Sequence, residues 1–220
     1  MCFTPIISLT TFIIEFVVAS YLIFFRKKSV ANLGFGILLY VLGLYQLFEF
    51  LICTTGTPHI WARAGFITYT FLPAIGLHFV LRYLRKRHSQ ILVYTPPVLF
   101  SLYALLNPGF VVFATCTRMF VKISTILSNQ TWLVGIYFAQ YFAFIAYTIF
   151  LLIQRLPKEK NKKKKKIEKY LLTGIIVGLV PALVFLVILP SLNILFASVY
   201  CEFAVLFTIF ALLSTKADAE

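Results

Sequence analysis

Long apolar runs separated by short polar patches dominate the chain. Seven runs are each close to the length of about 20 residues that a helix needs to cross the hydrocarbon core of a bilayer. They cover residues 5–25, 31–53, 62–84, 91–107, 131–154, 168–189 and 192–213. The fourth run is the shortest, contains Pro96 and Pro97, and ends at a turn signal, Asn107-Pro108-Gly109. The pattern predicts an all-α integral membrane bundle of about seven transmembrane helices.

The basic residues indicate which ends of these helices face the cytoplasm. Of the 20 Lys and Arg residues, 17 lie in the patches that follow the first, third, fifth and seventh runs. The positive-inside rule assigns these patches to the cytoplasm. We therefore expect the N-terminus outside, the C-terminus in the cytoplasm, and a location in the cell (plasma) membrane.

The amino-acid composition also indicates that the chain is surrounded by lipid. The chain is 61% hydrophobic and 12% charged, whereas a soluble domain is about 25% charged. Its 220 residues suit a single polytopic membrane domain over residues 1–220. The net charge of +13 does not indicate nucleic-acid binding, because the basic residues lie in short loops. The first run lacks a basic leading segment and a small-residue cleavage site, so we expect a retained helix rather than a signal peptide.

The densest basic segment is the loop Lys158–Lys169, which contains eight lysines. We expect this loop to be solvated and disordered. It should be drawn to anionic lipid by about 1 kcal/mol for each lysine near the surface. An acidic protein partner is an alternative, and a plain topology anchor is the simplest interpretation.

The longest outer loop covers residues 108–130. Its centre, residues 111–121, is rich in β-branched and aromatic residues, and is compatible with either a small hairpin over the bundle or a loose interfacial segment. Cys53 and Cys116 both fall on the outer side and are candidates for a disulfide in an oxidising compartment. Asn129-Gln130-Thr131 also matches the glycosylation sequon.

Ionisable residues inside the apolar runs mark candidate sites, because charge is expensive in the bilayer. Such residues are Glu15, Glu49, Glu202 and His78, accompanied by the polar Gln46. Glu15 and Glu202 are predicted at similar depth in the first and last helices. If these helices are neighbours, the two carboxyl groups face each other and share a proton.

A second group of candidates lies in the outer half of the predicted bundle. Its members are Cys2, Gln46, Glu49, Cys53 and Cys201. Gln46 and Glu49 are three positions apart and so share a helix face. Carboxylate and thiolate groups together suit a transition metal such as zinc, with Cys2, Glu49 and Cys201 as ligands and His78 as a further candidate.

Each of these residues also has a purely structural interpretation. A glutamate in a membrane helix can bind a hydroxyl or backbone group of a neighbouring helix. A buried cysteine often packs as a small hydrophobic residue, and His78 is more simply a helix-contact residue. No C-x-x-C or H-E-x-x-H spacing is present.

Missing motifs exclude several functions. No lysine lies inside an apolar run, so a retinal Schiff base is excluded. Arg82, near the end of the third run, has no acidic residue before it, and the last run lacks Asn-Pro-x-x-Tyr. Both absences disfavour rhodopsin-like receptors. The first three runs do not recur as the next three, so an inverted-repeat transporter has no support.

Three short motifs resemble an uncharacterised family of bacterial multi-pass membrane proteins. They are the opening Met1-Cys2-Phe3-Thr4, the pair Gln46 and Glu49, and the stretch Tyr200-Cys201-Glu202-Phe203-Ala204. That family begins Met-Cys-Phe-Ser. Cys53 and Tyr200 stand where it has tryptophans, and Glu202 where it has phenylalanine. The resemblance covers most of the chain and implies no known activity, but it singles out Cys2, Gln46, Glu49 and Cys201.

A weaker resemblance is to the seven-helix membrane sensor module of histidine kinases. It rests on the topology and on residues 168–174 followed by Pro181. Only about seven residues follow the last predicted helix, so signalling would need a separate membrane-protein partner.

Three functions remain open at this point. The first is a receptor-like sensor or binding protein with a polar, metal-binding pocket in the outer half. The second is an intramembrane enzyme with Cys2 as nucleophile, or with metal-activated water and a glutamate base. The third is a structural or assembly subunit of a larger membrane complex, in which the polar residues only hold helices together.

Overall fold

The computed structural model describes the backbone of residues 5–116, 121–188 and 200–219, and their side chains except at 128, 129, 179–188, 200–203 and 219. This part of the chain is mainly helical, with seven α-helices and one β-hairpin. The helices are α1 (Pro5–Ser20, continued by a π-helical turn at Tyr21–Phe25), α2 (Val30–Thr54), α3 (Pro58–Tyr83), α4 (Gln90–Leu106), α5 (Thr131–Arg155), α6 (Lys162–Ile188) and α7 (Tyr200–Ala219). The strands are β1 (Val111–Cys116) and β2 (Val121–Thr125).

Four of the described helices are long and apolar enough to cross a membrane. They are α1 with its π-helical turn, α2, α3 and α5. The shorter α4 is apolar over 17 residues. Each predicted apolar run overlaps a helix, although the first part of the seventh run, residues 192–199, lies outside the described residues.

The outer surface of the bundle carries large apolar side chains, as expected for contact with lipid. Phe25 at the end of the first helical segment is 79% exposed, and Ile91 and Leu106 on α4 are 76% and 77% exposed. A soluble protein rarely leaves a continuous apolar surface of this kind open to water. The described chain is therefore suited to a membrane rather than to an aqueous environment.

Neighbouring helices in the sequence pack against each other through the first half of the chain. α1 lies against α2, α2 against α3, and α3 against both α4 and α5. α7 contacts α1, α2 and α6, whereas α5 meets α6 at few positions. We call the end of the bundle that carries the two strands the hairpin end, and the opposite end the lysine-rich end.

Helix α6 begins earlier than the sequence predicted. The expectation of a disordered lysine loop was wrong for residues 162–166, which form its first turns. The side chain of Asn161 accepts hydrogen bonds from the backbone N–H groups of Lys163 (3.0 Å) and Lys164 (3.2 Å), which caps the helix start. Lysine is itself a good helix former, so the apolar helix extends through the basic segment.

The end of α3 shows an unusual backbone conformation. The N–H of Lys86 donates to the carbonyl of Leu81 at 2.9 Å, which closes the last turn of the helix. This closure requires a left-handed residue just beyond the helix, a position where glycine is usual. Here Arg85 occupies that position with a φ of 54°.

The hairpin prediction is confirmed, and the alternative of a loose segment is wrong. β1 and β2 pair antiparallel, with Cys116 opposite Val121 and Val111 opposite Thr125. Both strands contact α2, and β1 also contacts α3. The guanidinium of Arg63 on α3 donates to the carbonyl of Asn107 at 2.9 Å, which holds the loop before the hairpin against the bundle.

Two glycines on α2 permit close helix packing. A Cβ at Gly36 would lie 2.5 Å from Cγ1 of Ile23, and a Cβ at Gly34 would lie 2.0 Å from the ring of Phe79 on α3. Both distances are far below van der Waals contact. α2 is therefore fixed against its neighbours on both sides at the lysine-rich end of the bundle.

Candidate functional site at the hairpin end of the bundle

Glu15 on α1 is completely buried, at 0% exposure. It lies ten residues from the start of α1, which is about 15 Å along the helix axis. It faces Gly43 of α2, where a Cβ would lie 3.6 Å from Oε2 of Glu15. Neither carboxylate oxygen has a hydrogen-bond partner among the described residues.

Gln46 and Glu49 lie on the inward face of α2, one turn apart. Gln46 is 0% exposed and Glu49 is 2% exposed, as their predicted position on a common face requires. The hydroxyl of Tyr45 donates to Oε1 of Glu49 at 3.2 Å. The carboxylate of Glu15 lies at the level of Gly43 on α2, and Glu49 follows Gly43 by six residues. Glu15 and Glu49 therefore differ in depth by about 9 Å.

Stacked tyrosines form a second wall of this region. The rings of Tyr69 on α3 and Tyr141 on α5 stack with centroids 4.7 Å apart, and Tyr45 packs against Tyr69 at 6.1 Å. The hydroxyl groups of Tyr137 and Thr70 lie 3.0 Å apart, within hydrogen-bond distance. Sequence reasoning missed these residues because tyrosine was counted as apolar. Their positions along the apolar runs could have identified them. They lie in the middle of helices, whereas tyrosine in membrane proteins is enriched at the membrane–water interfaces.

A disulfide closes the hairpin end. Cys53 in the last turn of α2 and Cys116 at the end of β1 are bonded, with Cα atoms 5.2 Å apart. This agrees with the pairing expected from the sequence. Because both sulfur atoms are engaged, neither cysteine is available as a metal ligand.

His78 does not join the residues of the hairpin end. Its Nδ1 lies 2.9 Å from the hydroxyl of Tyr94 on α4, and its ring lies 5.1 Å from that of His88. On the same helix, Gly65 packs beside Tyr45. His78 follows Gly65 by 13 residues, which separates the two by about 20 Å along the axis of α3. His78 therefore lies about 20 Å closer to the lysine-rich end than the level of Tyr45, and a role as a further ligand beside Glu49 has no support among the described residues.

Three candidate residues lie outside the described part of the chain or lack a described side chain. They are Cys2, Cys201 and Glu202. The helices that carry Glu15 and Glu202 do pack together, since α1 contacts α7. Within residues 5–116, 121–188 and 200–219, no three His, Cys, Asp or Glu side chains come together as a metal site. The zinc-type ligand set of Cys2, Glu49 and Cys201 stays a prediction, because two of its three members lie outside the described side chains.

Glu49 and Gln46 thus lie in the half of the bundle that carries the tethered hairpin, next to the aromatic wall, and Glu15 lies about 9 Å further from the hairpin. Comparison of the chain with protein-family models, with curated proteins and with solved structures finds no match.

Proposed function

We propose that the chain crosses the plasma membrane seven times, with its N-terminus outside, and binds a small cationic ligand in the outer half of the bundle. In this proposal the protein is a receptor-like sensor or binding protein. Glu15 and Glu49 provide negative charge, and Gln46 orients the ligand.

Charge distribution supports the proposed orientation. The basic patches that contain 17 of the 20 Lys and Arg residues lie at one end of the bundle, and the positive-inside rule makes that end cytoplasmic. The Cys53–Cys116 disulfide lies at the opposite end, and disulfides persist on the oxidising side of a membrane. The 17 residues of α4 fall at the lower limit of about 17 residues for a membrane-spanning helix.

The observation that carries the binding proposal is the unpartnered carboxyl group of Glu15. At 0% exposure its oxygens lack partners among the described residues. An unpaired charge in the hydrocarbon core costs several kcal/mol, roughly 2.5–3.5 even on the most lenient scale. A helix that serves only packing gains nothing to offset this cost. A ligand that carries positive charge or a hydrogen-bond donor offsets it by pairing with the Glu15 carboxyl group.

The ligand class follows from the chemistry of the site. Carboxylates accept hydrogen bonds from ammonium groups, and charge-assisted bonds of this type are the strongest that side chains make. A small primary amine or diamine therefore fits the site better than an anionic or purely apolar ligand.

The first experiment is a thermal-shift screen of the detergent-purified chain with monoamines, diamines and matched carboxylic acids. We expect at least one amine, at 100 times its dissociation constant, to stabilise the wild type by about 2.7 kcal/mol. Glu15→Gln and Glu49→Gln should each abolish the shift. The matched control is Glu159→Gln, which removes the same charge at the lysine-rich end and should leave the shift intact.

Two outcomes would contradict the proposal. One is that none of the amines shifts the melting temperature of the wild type more than the matched acids do. The other is that the amine shift survives in Glu15→Gln, which would show that the buried carboxyl group serves helix packing alone.

A further inference from the structure

An apolar cavity lies inside the bundle and is lined by α2, α3, α5, α6 and α7, next to the place where α5 and α6 meet at few positions. The described residues that line it include Gly76 on α3, Ile145 on α5, and Gly174 and Gly178 on α6. Its volume is about 120 Å³. This is far more than the 10–15 Å³ that one water requires, and apolar cavities of such size take up small hydrocarbons.

A second cavity, of about 490 Å³, lies at the lysine-rich end between the ends of α2, α3, α5, α6 and α7. Its lining is strongly charged. The basic residues are Arg82, Arg85, Arg155, Lys163 and Lys164, and the acidic residues are Glu159, Glu168 and Asp218. Basic groups therefore outnumber acidic groups around this cavity.

Two of the basic groups form ion pairs with the acidic ones, and Lys164 attracts Glu159 and Glu168 at longer range. Arg155 pairs with Glu159 and lies 3.8 Å from Glu168, and Lys163 lies 4.0 Å from Asp218. A backbone N–H in the same turn and then the Arg155 guanidinium lower the pKa of Glu159, so that this pair is charged at neutral pH. Glu159 and Asp218 are thus engaged within the protein, whereas Oε2 of Glu168 has no hydrogen-bond partner among the described residues.

The three remaining basic groups, Arg82, Arg85 and Lys164, have no ion pair among the described side chains. Arg85 is the residue with the left-handed backbone at the end of α3. Glycine would satisfy that turn at lower conformational cost. A change of Arg85 to glycine would therefore suit the backbone, so any loss that it causes reports on the arginine side chain.

The two cavities lie one above the other. Val80 and Leu171 line the apolar cavity, while Leu84 and Ile167, each four residues further towards the lysine-rich end, line the charged one. A separation of four residues on a helix corresponds to about 6 Å. Tyr83 packs between them, and its buried hydroxyl group has no hydrogen-bond partner within the described residues.

We propose that these cavities together form a binding site for one anionic phospholipid. Part of an acyl chain lies in the apolar cavity. The phosphate group lies in the charged cavity, where Arg82, Arg85 and Lys164 neutralise it and Tyr83 donates a hydrogen bond. The proposal rests on the membrane orientation given above, which brings the charged cavity to the cytoplasmic headgroup layer.

The experiment is native mass spectrometry of the detergent-purified full chain, titrated with dioleoyl phosphatidylglycerol and with dioleoyl phosphatidylcholine. We expect one phosphatidylglycerol to bind at least ten times more tightly than phosphatidylcholine. Glycerol 3-phosphate, which lacks acyl chains, should not compete over the same concentration range.

Two variants test the two halves of the site separately. Arg85→Gly removes a charge at a position where glycine suits the backbone, so it should weaken phosphatidylglycerol binding about tenfold without loss of thermal stability. Gly76→Leu should weaken both lipids, because a Cβ at Gly76 meets nothing within 4 Å and the new side chain fills the cavity.

Each variant has a matched control. Arg87→Gly removes the same charge from the same loop but does not line either cavity, and Gly135→Leu changes a helical glycine that also faces open space. Both controls should bind phosphatidylglycerol like the wild type. Equal binding of the two lipids, an unchanged affinity in Arg85→Gly or Gly76→Leu, or competition by glycerol 3-phosphate would overturn the proposal. These results are independent of the amine screen, which depends on Glu15 and Glu49.

Discussion

Replacement of Cys53 and Cys116 by serine is expected to lower the free energy of unfolding by about 4 kcal/mol, according to the loop-closure model of disulfide stabilisation. The bond closes a long loop, since its cysteines are 63 residues apart in the sequence. The loop contains α3, α4 and most of β1, so its closure restricts a large part of the unfolded chain.

Thermal melting in detergent, followed by tryptophan fluorescence, measures this effect. Cys53→Ser, Cys116→Ser and the double variant should melt at the same lowered temperature, because either replacement alone removes the whole bond. A reductant should lower the melting temperature of the wild type to that of the variants and leave the double variant unchanged. If reduced and oxidised wild type melt together, the disulfide does not contribute to stability.

Gly34→Ala is expected to destabilise the protein by about 1–3 kcal/mol, the usual cost of overpacking a core. The added methyl group would lie 2.0 Å from the ring of Phe79. That ring is only 5% exposed and packs against Phe35 with centroids 5.4 Å apart, so it has little room to move. The melting temperature of the purified variant in detergent measures the change.

Gly135→Ala is the matched control for this substitution. It also adds a methyl group to a helical glycine, but a Cβ there meets nothing within 4 Å. The control should be neutral or more stable by about 0.5–1 kcal/mol, because alanine favours the helix. A second variant, Phe79→Leu combined with Gly34→Ala, should recover part of the loss. Equal melting temperatures for Gly34→Ala and Gly135→Ala would show that the helices separate at no cost.

The helices were predictable because long apolar runs bounded by polar residues follow a simple rule of length and apolarity. The predicted fifth run, 131–154, differs from α5 by one residue at its end. The start of α6 was not predictable from hydropathy, because its first turns are polar and depend on the Asn161 cap. Local hydrogen bonds set that boundary independently of lipid.

The candidate site was predictable in part. Periodicity places Gln46 and Glu49 on one face, and burial of both side chains agrees. Charge asymmetry put Cys53 and Cys116 on one side of the membrane, which made their disulfide a reasonable expectation. The position of His78 beside Tyr94 depends on how α3 and α4 pack, and no pattern within a single helix specifies the partner helix.

The tethered hairpin also implies an order of maturation. Cys53 emerges from the ribosome well before Cys116, because 63 residues separate them. In the proposed topology, the two can react only after α3 and α4 have inserted and the loop that follows them has been translocated. Newly made molecules therefore pass through a stage with a complete α2 but an open hairpin end. Mobility on non-reducing gels, followed in a pulse-chase, would separate young from mature protein in the cell.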